Sequence, residues 1–223
     1  MIRAFGTSDN GLPPVPEQPV GSPNAGLRHI PSLTPQTYRA TVPQSRSGRA
    51  ILTNLTIKLA DTESDFDAAR HLCREWLKVH WEIYPDDWPK GDDHPMGSKR
   101  FGAFIEDLPN LHARPKGGIL VAYLNDQPAG CVMYADAGDG SARFNRLFVS
   151  TSARGNAIGR NLLERMFEQM KSDGYKRVFF SSATFLPHVR KMYENIGFTP
   201  MPTPDDVPEI WRDRIYFMER ALN

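Results

Sequence analysis

From Arg146 to Met166 the chain reads Arg-Leu-Phe-Val-Ser-Thr-Ser-Ala-Arg-Gly-Asn-Ala-Ile-Gly-Arg-Asn-Leu-Leu-Glu-Arg-Met. The pattern is a strand, a tight turn rich in small residues, and an amphipathic helix. A strand that feeds a helix across so short a turn commits the domain to mixed α/β packing. It also creates a chemical opportunity. The first four N–H groups of a helix lack internal partners, and the helix dipole adds positive potential there. Small residues at Gly155, Ala157 and Gly159 let an anion approach the backbone, while Arg154 and Arg160 add charge for phosphates. Taken alone, the stretch fits a phosphate cradle and a plain strand-to-helix turn equally well.

The flanks supply the order of elements. Leu55, Ile57 and Leu59 alternate with Thr56 and Lys58 as a half-buried strand. Phe66, Ala69, Leu72, Cys73, Trp76, Leu77 and His80 form a helical stripe, with Ser64 and Asp67 as its capping box. Phe101, Phe104, Ile105 and Leu108 predict a second helix, stopped by Pro109. Strands follow at 119–124, 130–135 and 142–149, with Asn125-Asp126 as a hairpin turn. After the helix beyond residue 158 come a strand at 177–181, a helix at 187–195 closed by Gly197, and a strand at 215–218. The expected fold is a mixed α/β domain.

Composition excludes several functions. There are 27 Lys and Arg against 26 Asp and Glu, so no basic excess points to nucleic acid or a membrane surface. The longest apolar run, Ile119 to Leu124, is far short of the roughly 20 residues of a membrane helix. Cys73 and Cys131 sit in apolar settings and read as reduced core residues. Residues 1–50 hold eight prolines between Pro13 and Pro43 and few large apolar groups, so a disordered extension is expected. Their Arg-rich, acid-poor character also fits an organelle transit peptide, although the prolines oppose the amphipathic helix such a peptide needs.

Three features together carry a family resemblance: Arg-Leu-Phe-Val at 146–149, Arg154-x-x-Ala157-x-Gly159, and Tyr193-Glu-Asn-Ile-Gly-Phe198. They resemble the GNAT superfamily of acyl-CoA N-acyltransferases, in particular its small bacterial-type members, and the resemblance spans roughly residues 51–222. It implies a central mixed, mostly antiparallel sheet with a splayed parallel pair, flanked by about four helices. It implies acetyl-CoA as acyl donor and a primary amine of a small molecule, protein or peptide as acceptor, with no metal. Leu147, Phe148 and Val149 would pair with the pantetheine arm. Arg154, Gly155, Asn156, Ala157, Ile158, Gly159 and Arg160 would hold the pyrophosphate. Tyr193 would be the acid that protonates the departing thiolate. The implied protein is cytoplasmic, with a homodimer left open.

Two departures stand against the family pattern. Ala157 stands where many members have Gly, and a negative φ is expected for it, as in a helix first turn. Arg143 occupies the fourth-strand position where many members carry a glutamate base; it reads either as a ligand for an acidic group on the substrate or as a solvated surface arginine. A non-catalytic acyl-CoA sensor with the same fold is the alternative function. Trp81, Glu82, Tyr84, Asp86, Asp87, Trp88, Asp92, Asp93 and His94 crowd one loop, which reads as an acceptor patch for a cationic amine or as aromatics packing back on the core. His94 with Asp92 and Asp93 lacks the second histidine or cysteine that a metal would need. A P-loop reading fails because no Gly-Lys-Ser/Thr follows the turn.

Overall fold

The computed structural model describes residues 54–91, 94 and 96–222; the expected N-terminal extension and the acidic pair Asp92 and Asp93 lie outside them. Seven strands form one sheet in the order β1-β2-β3-β4-β5-β7-β6. The strands are β1 (Leu55–Leu59), β2 (Gly117–Leu124), β3 (Gln127–Asp136), β4 (Ser141–Val149), β5 (Arg177–Ala183), β6 (Thr199–Met201) and β7 (Ile215–Ala221). All neighbours are antiparallel except β4 and β5, which are parallel. Helices α1 (Glu63–Glu82), α2 (Ser98–Leu111), α3 (Ile158–Ser172), α4 (Pro187–Asn195) and the single turn α5 (Glu209–Arg212) flank it. This is the mixed fold expected. The short β6 and α5 escaped the sequence because neither is long enough to show a period.

Alternation along the strands sorts the core into two layers. Leu120, Ala122, Val132, Tyr134, Ala142 and Phe144 face α3, where Ile158, Leu162, Met166 and Met170 project from one side of that helix. Ile119, Val121, Cys131, Met133 and Phe148 face α1 and α2, meeting Leu72, Cys73, Phe101, Phe104 and Leu108. Gly130 lets α3 come close: a Cβ there would lie 2.8 Å from Phe148 O and 3.2 Å from Leu162 Cδ1.

Two local expectations are corrected. The cap of α1 is Thr62 with Asp65, not Ser64 with Asp67; the Thr62 hydroxyl accepts from the Asp65 N–H, and the Asp65 carboxylate reaches back to the Thr62 N–H. The helix begins earlier because Lys58 and Tyr123 also bind the Asp65 carboxylate, at 2.7 Å each. Burial raises the Asp65 pKa, but the bonds from Lys58, Tyr123 and Thr62 prevail and hold it well below the usual carboxylate range. Pro109, in turn, lies inside α2 and does not end it. Its missing N–H leaves the Ile105 carbonyl short of a partner four residues back, and the Arg70 Nε–H on α1 donates to that oxygen at 3.3 Å.

Asn125 and Asp126 turn the β2–β3 hairpin with both φ positive, at 51° and 63°, which is the type I′ geometry their sequence predicts.

Candidate active site

β4 and β5 pair at Ser141–Arg177, Ala142–Val178 and Arg143–Phe179, and their pairing stops there, although both strands continue. From Phe144 onward they part. Their fork leaves the β5-facing edge of β4 unpaired through Leu147, Phe148 and Val149 among the described residues, while the other edge stays on β3 as far as Val149–Gly130. A bulge in β4 accompanies the fork. Cys131 pairs with Phe148 but Met133 pairs with Asn145, so Arg146 and Leu147 together oppose Val132. Arg146 takes φ 54°, a left-handed conformation that is uncommon for a side chain of this size.

Beyond β4 the chain makes a 3-10 turn at Thr151–Ala153 and then a loop to α3. The loop turns through Gly155 at φ 86° and Ala157 at φ 54°. Between them Asn156 is buried, and its Nδ2 amide donates to Ala153 O at 3.0 Å, pinning the loop onto the turn. Ala157 is the N-cap of α3, and the first helical bond runs from the Asn161 N–H to Ala157 O at 3.1 Å. The negative φ expected of Ala157 is therefore wrong. Left-handed residues on both sides of Asn156 gather backbone N–H groups into a concavity, and Ala157 adopts the geometry that suits Gly. A Cβ on Gly155 would meet nothing within 4 Å, so no side chain or backbone crowds that point of the loop. Arg154 and Arg160 are exposed at the two ends, with Arg160 paired to Glu164 at 2.8 Å. The cradle residues Arg154 to Arg160 thus come together, and their chemistry fits a pyrophosphate.

One face of the fork belongs to Tyr193. Its ring lies 4.2 Å from Phe180, 5.7 Å from Phe144 and 5.5 Å from Phe198 between centroids. Phe144 and Phe180 are the first residues of the two strands beyond the last paired rung. The Tyr193 side chain is buried, which pushes its phenol pKa far above the ordinary 10, with Tyr216 adding to the shift. The group is a phenol, not a phenolate, at any physiological pH.

The opposite face carries Arg143, Asn145 and Arg146. Alternation puts Arg143 and Asn145 toward α1 and α2, and the bulge adds Arg146 to the same side. The Arg146 guanidinium stacks 4.1 Å above the Trp76 ring and lies 4.8 Å from Phe104 and 5.7 Å from Phe101. Arg143 is 5% exposed, so the reading as a solvated surface arginine is overturned. Burial, followed by the charge of Arg146, lowers its pKa to about 10. Of this trio, the sequence singled out Arg143 alone. The available signal was two arginines and an asparagine set among Phe144, Leu147 and Phe148.

The aromatic side chains of the crowded loop after α1 pack on one another and on Phe185 and Trp211. Tyr84 sits against Trp88 and Phe185, and Trp211 of α5 lies 5.5 Å from His94 and 6.4 Å from Trp88. Phe185 and Trp211 were not foreseen as members of this cluster. Both ring nitrogens of His94 are engaged: Nδ1 accepts from the Met96 N–H at 3.0 Å, and Nε2–H donates to the Tyr84 hydroxyl at 2.8 Å. His80 closes the Arg146 side, with its Nδ1–H on Trp76 O at 2.9 Å and its ring 4.0 Å from Trp76. No helix among the described residues is long and apolar enough to cross a membrane.

This geometry has relatives. A protein of Azospirillum brasilense described as an IAA acetyltransferase is 31% identical over 109 residues, covering 48% of this chain and 68% of its own length. The crystal structure of a GNAT-family acetyltransferase from Staphylococcus aureus aligns with TM-score 0.58 at 16% identity, covering 76% of this chain and 99% of the other. An N-acetyltransferase from Thermoplasma acidophilum, solved with coenzyme A, aligns with TM-score 0.51 at 17% identity, covering 74% of this chain and 99% of the other. Residues 73–198 match the Acetyltransferase (GNAT) family, a span that runs from mid-α1 through the fork and cradle to Phe198. A forked parallel pair, a small-residue cradle at a helix start and a matching family profile converge, and the chain belongs to the GNAT acetyltransferase family, whose enzymes transfer acyl groups from acyl-CoA.

Proposed function

We propose that the protein is an N-acetyltransferase that moves an acetyl group from acetyl-CoA to a primary amine by direct attack. The observation that carries this reading is Tyr193, seated on Phe144 and Phe180 where β4 and β5 part. In this reading residues 51–223 are one catalytic domain and residues 1–50 an extension. The two free buried cysteines, Cys73 and Cys131, suit a reducing, cytoplasmic setting.

Acetyl-CoA supplies the thioester. The N–H groups from Gly155 to Arg160, with Arg154 and Arg160, hold its pyrophosphate, and the open edge at Leu147, Phe148 and Val149 pairs with its arm as an added strand would. The neutral amine nitrogen bonds to the acyl carbon, the C–S bond breaks, the sulfur takes the Tyr193 proton, and the proton shed by the new amide nitrogen restores the Tyr193 phenol. Burial keeps the phenol protonated, so its proton is in place when the sulfur departs, and the high pKa ensures that the proton returns to the phenol afterwards. The amine must first lose its own proton. Arg143 stands at the family's carboxylate position, so the proton leaves to water and kcat/KM rises with pH toward the pKa of the amine.

Incubation with acetyl-CoA and a panel of amines, with free thiol as readout, tests the reading. Tyr193→Phe should lower kcat by about 10²-fold or more while acetyl-CoA affinity by calorimetry stays close to the parent. Undiminished turnover removes Tyr193 as the acid. Arg143 in place of a base favours one second reading, a non-catalytic acyl-CoA sensor. Acetyl-CoA binding without thiol release on any amine would select it.

A further inference from the structure

The α1/α2 face of the fork holds more unmet polar capacity than a protein interior tolerates. Arg143 Nε, Arg146 Nε, and both the Nδ2 and Oδ1 of Asn145 are buried without hydrogen-bond partners. The Arg143 Nη2 reaches Ser181 Oγ only at 3.5 Å, the long limit of a hydrogen bond. No ion pair among the described residues involves either arginine. Arg143, which is buried, and Arg146, which is half-buried, are two cations on one strand face that repel each other, and their Nε atoms have lost water. Among the described residues, Asp206 is the carboxylate whose field favours the charged form of Arg143, and it is an exposed loop residue.

The site is built rather than accidental. The β4 bulge turns Arg146 onto the face of Arg143 and Asn145, where simple alternation would have sent it to the α3 layer. Trp76, Phe101 and Phe104 then fix the Arg146 guanidinium plane by stacking. A planar guanidinium held in place presents its donors as a fork, the shape that matches a carboxylate. Asn145 adds an amide donor. Its position is also telling: Arg143 belongs to the last paired rung, so the cluster lies directly across β4 from the Phe144–Tyr193 side.

We propose that Arg143, Asn145 and Arg146 form a carboxylate subsite for the acceptor, so that the protein acetylates amines that also carry an acid group, such as α-amino acids, in preference to polyamines or simple alkylamines. The inference rests on the transferase reading for the word acceptor, but the subsite can be probed without turnover. It reverses the expectation of a cationic acceptor drawn from the aromatic and acidic loop, because two unpaired arginines would repel a substrate with no negative group.

The test uses the full chain and matched probes that differ only in the acid: phenylalanine, leucine and glutamate against their α-carboxamides, and N-acetylphenylalanine against its amide. Calorimetry on the wild type should show the acids binding roughly 100-fold more tightly than the amides. Arg143→Gln and Arg146→Gln should each reduce that ratio at least tenfold, with Arg143→Lys intermediate. Equal binding of acid and amide by the wild type, or binding of neither, overturns the subsite whether or not the protein turns over. A preference for acids that survives both glutamine variants also overturns it. Thiol release is scored separately: acids that bind selectively with no acetyl transfer to any amine would sink the transferase reading and leave the subsite standing.

Discussion

The two faces of the β4–β5 fork solve opposite problems. Toward α3, Tyr193 packs on the rings of Phe144, Phe180 and Phe198 within an apolar cluster. Toward α1 and α2, a few ångströms away, Arg143, Asn145 and Arg146 hold polar atoms without partners. The first face is a packed core that positions one phenol. The second is a polar surface folded inward with part of its hydrogen-bonding capacity unused. A protein spends stability on a face of the second kind, and it does so where function demands it. The difference predicts that substitutions on the two faces should move stability in opposite directions.

The largest effect belongs to the α3 side. Leu162 is fully buried against the sheet and close to Gly130, where the helix approaches the backbone of β3. Leu162→Ala should cost about 2–5 kcal/mol, since the glycine contact leaves little room for the helix to move inward and fill the cavity. Denaturant unfolding measures it. A loss under about 1 kcal/mol would mean that α3 is not seated as tightly as the contacts indicate.

The next effect is a pH response confined to the other layer. His112 caps α2, donates its Nδ1–H to Tyr134 O at 2.9 Å, and has a buried Nε2 without a partner. Burial lowers its pKa to about 4. His80, beside Arg146, is lowered by burial to about 4 as well. Both are neutral in the folded protein where the unfolded chain would take up a proton. Stability is therefore complete above the ordinary histidine pKa and falls as the pH drops from about 6.5 toward 4, by about 3 kcal/mol for His112 alone over that range. The slope should be visible between pH 6.5 and 5, where most carboxylates still hold their charge. A flat unfolding midpoint there would show that water reaches the His112 ring.

Third, Arg143→Met should raise the stability of the ligand-free protein by about 1–2 kcal/mol, because it replaces an unpaired buried cation with an apolar chain of similar reach. Acetyl transfer to acid-bearing amines should drop in the same variant. A loss of stability would mean that Arg143 is paired more strongly than its long contact to Ser181 indicates.

What the sequence disclosed follows the same division. The α3 side was legible because its signals are local: the Leu162, Leu163, Met166, Met170 stripe gives the helix, and the small residues before it give the cradle. The face with the arginines was not. A one-residue bulge decides which way Arg146 points, and no pattern in Arg-Phe-Asn-Arg announces a bulge. Pro109 misled for a similar reason, since the donor that replaces its missing N–H, Arg70, belongs to another helix. Tyr193 could be picked out by motif, but the ring packing that buries it joins residues from three separate elements and Phe198.

The smallest effect examines the seam between the two faces, where β4 hands over to α3. Arg146 and Ala157 both take φ 54°, one at each end of that connection. Arg146 has stacking on Trp76 to offset the strain. Ala157 is exposed and makes no side-chain cap bond. Ala157→Gly should then be stabilising by about 1 kcal/mol, the cost of holding a Cβ in the left-handed region, less what the freer glycine loses on folding. Acetyl-CoA affinity should hold or rise slightly, because the backbone that would meet the pyrophosphate is unchanged and one methyl is gone. Calorimetric affinity and the unfolding midpoint read both halves of the claim. A destabilised variant would mean that Ala157 does not keep this conformation in solution, and the cradle would have to be rebuilt on a helix that starts one residue earlier.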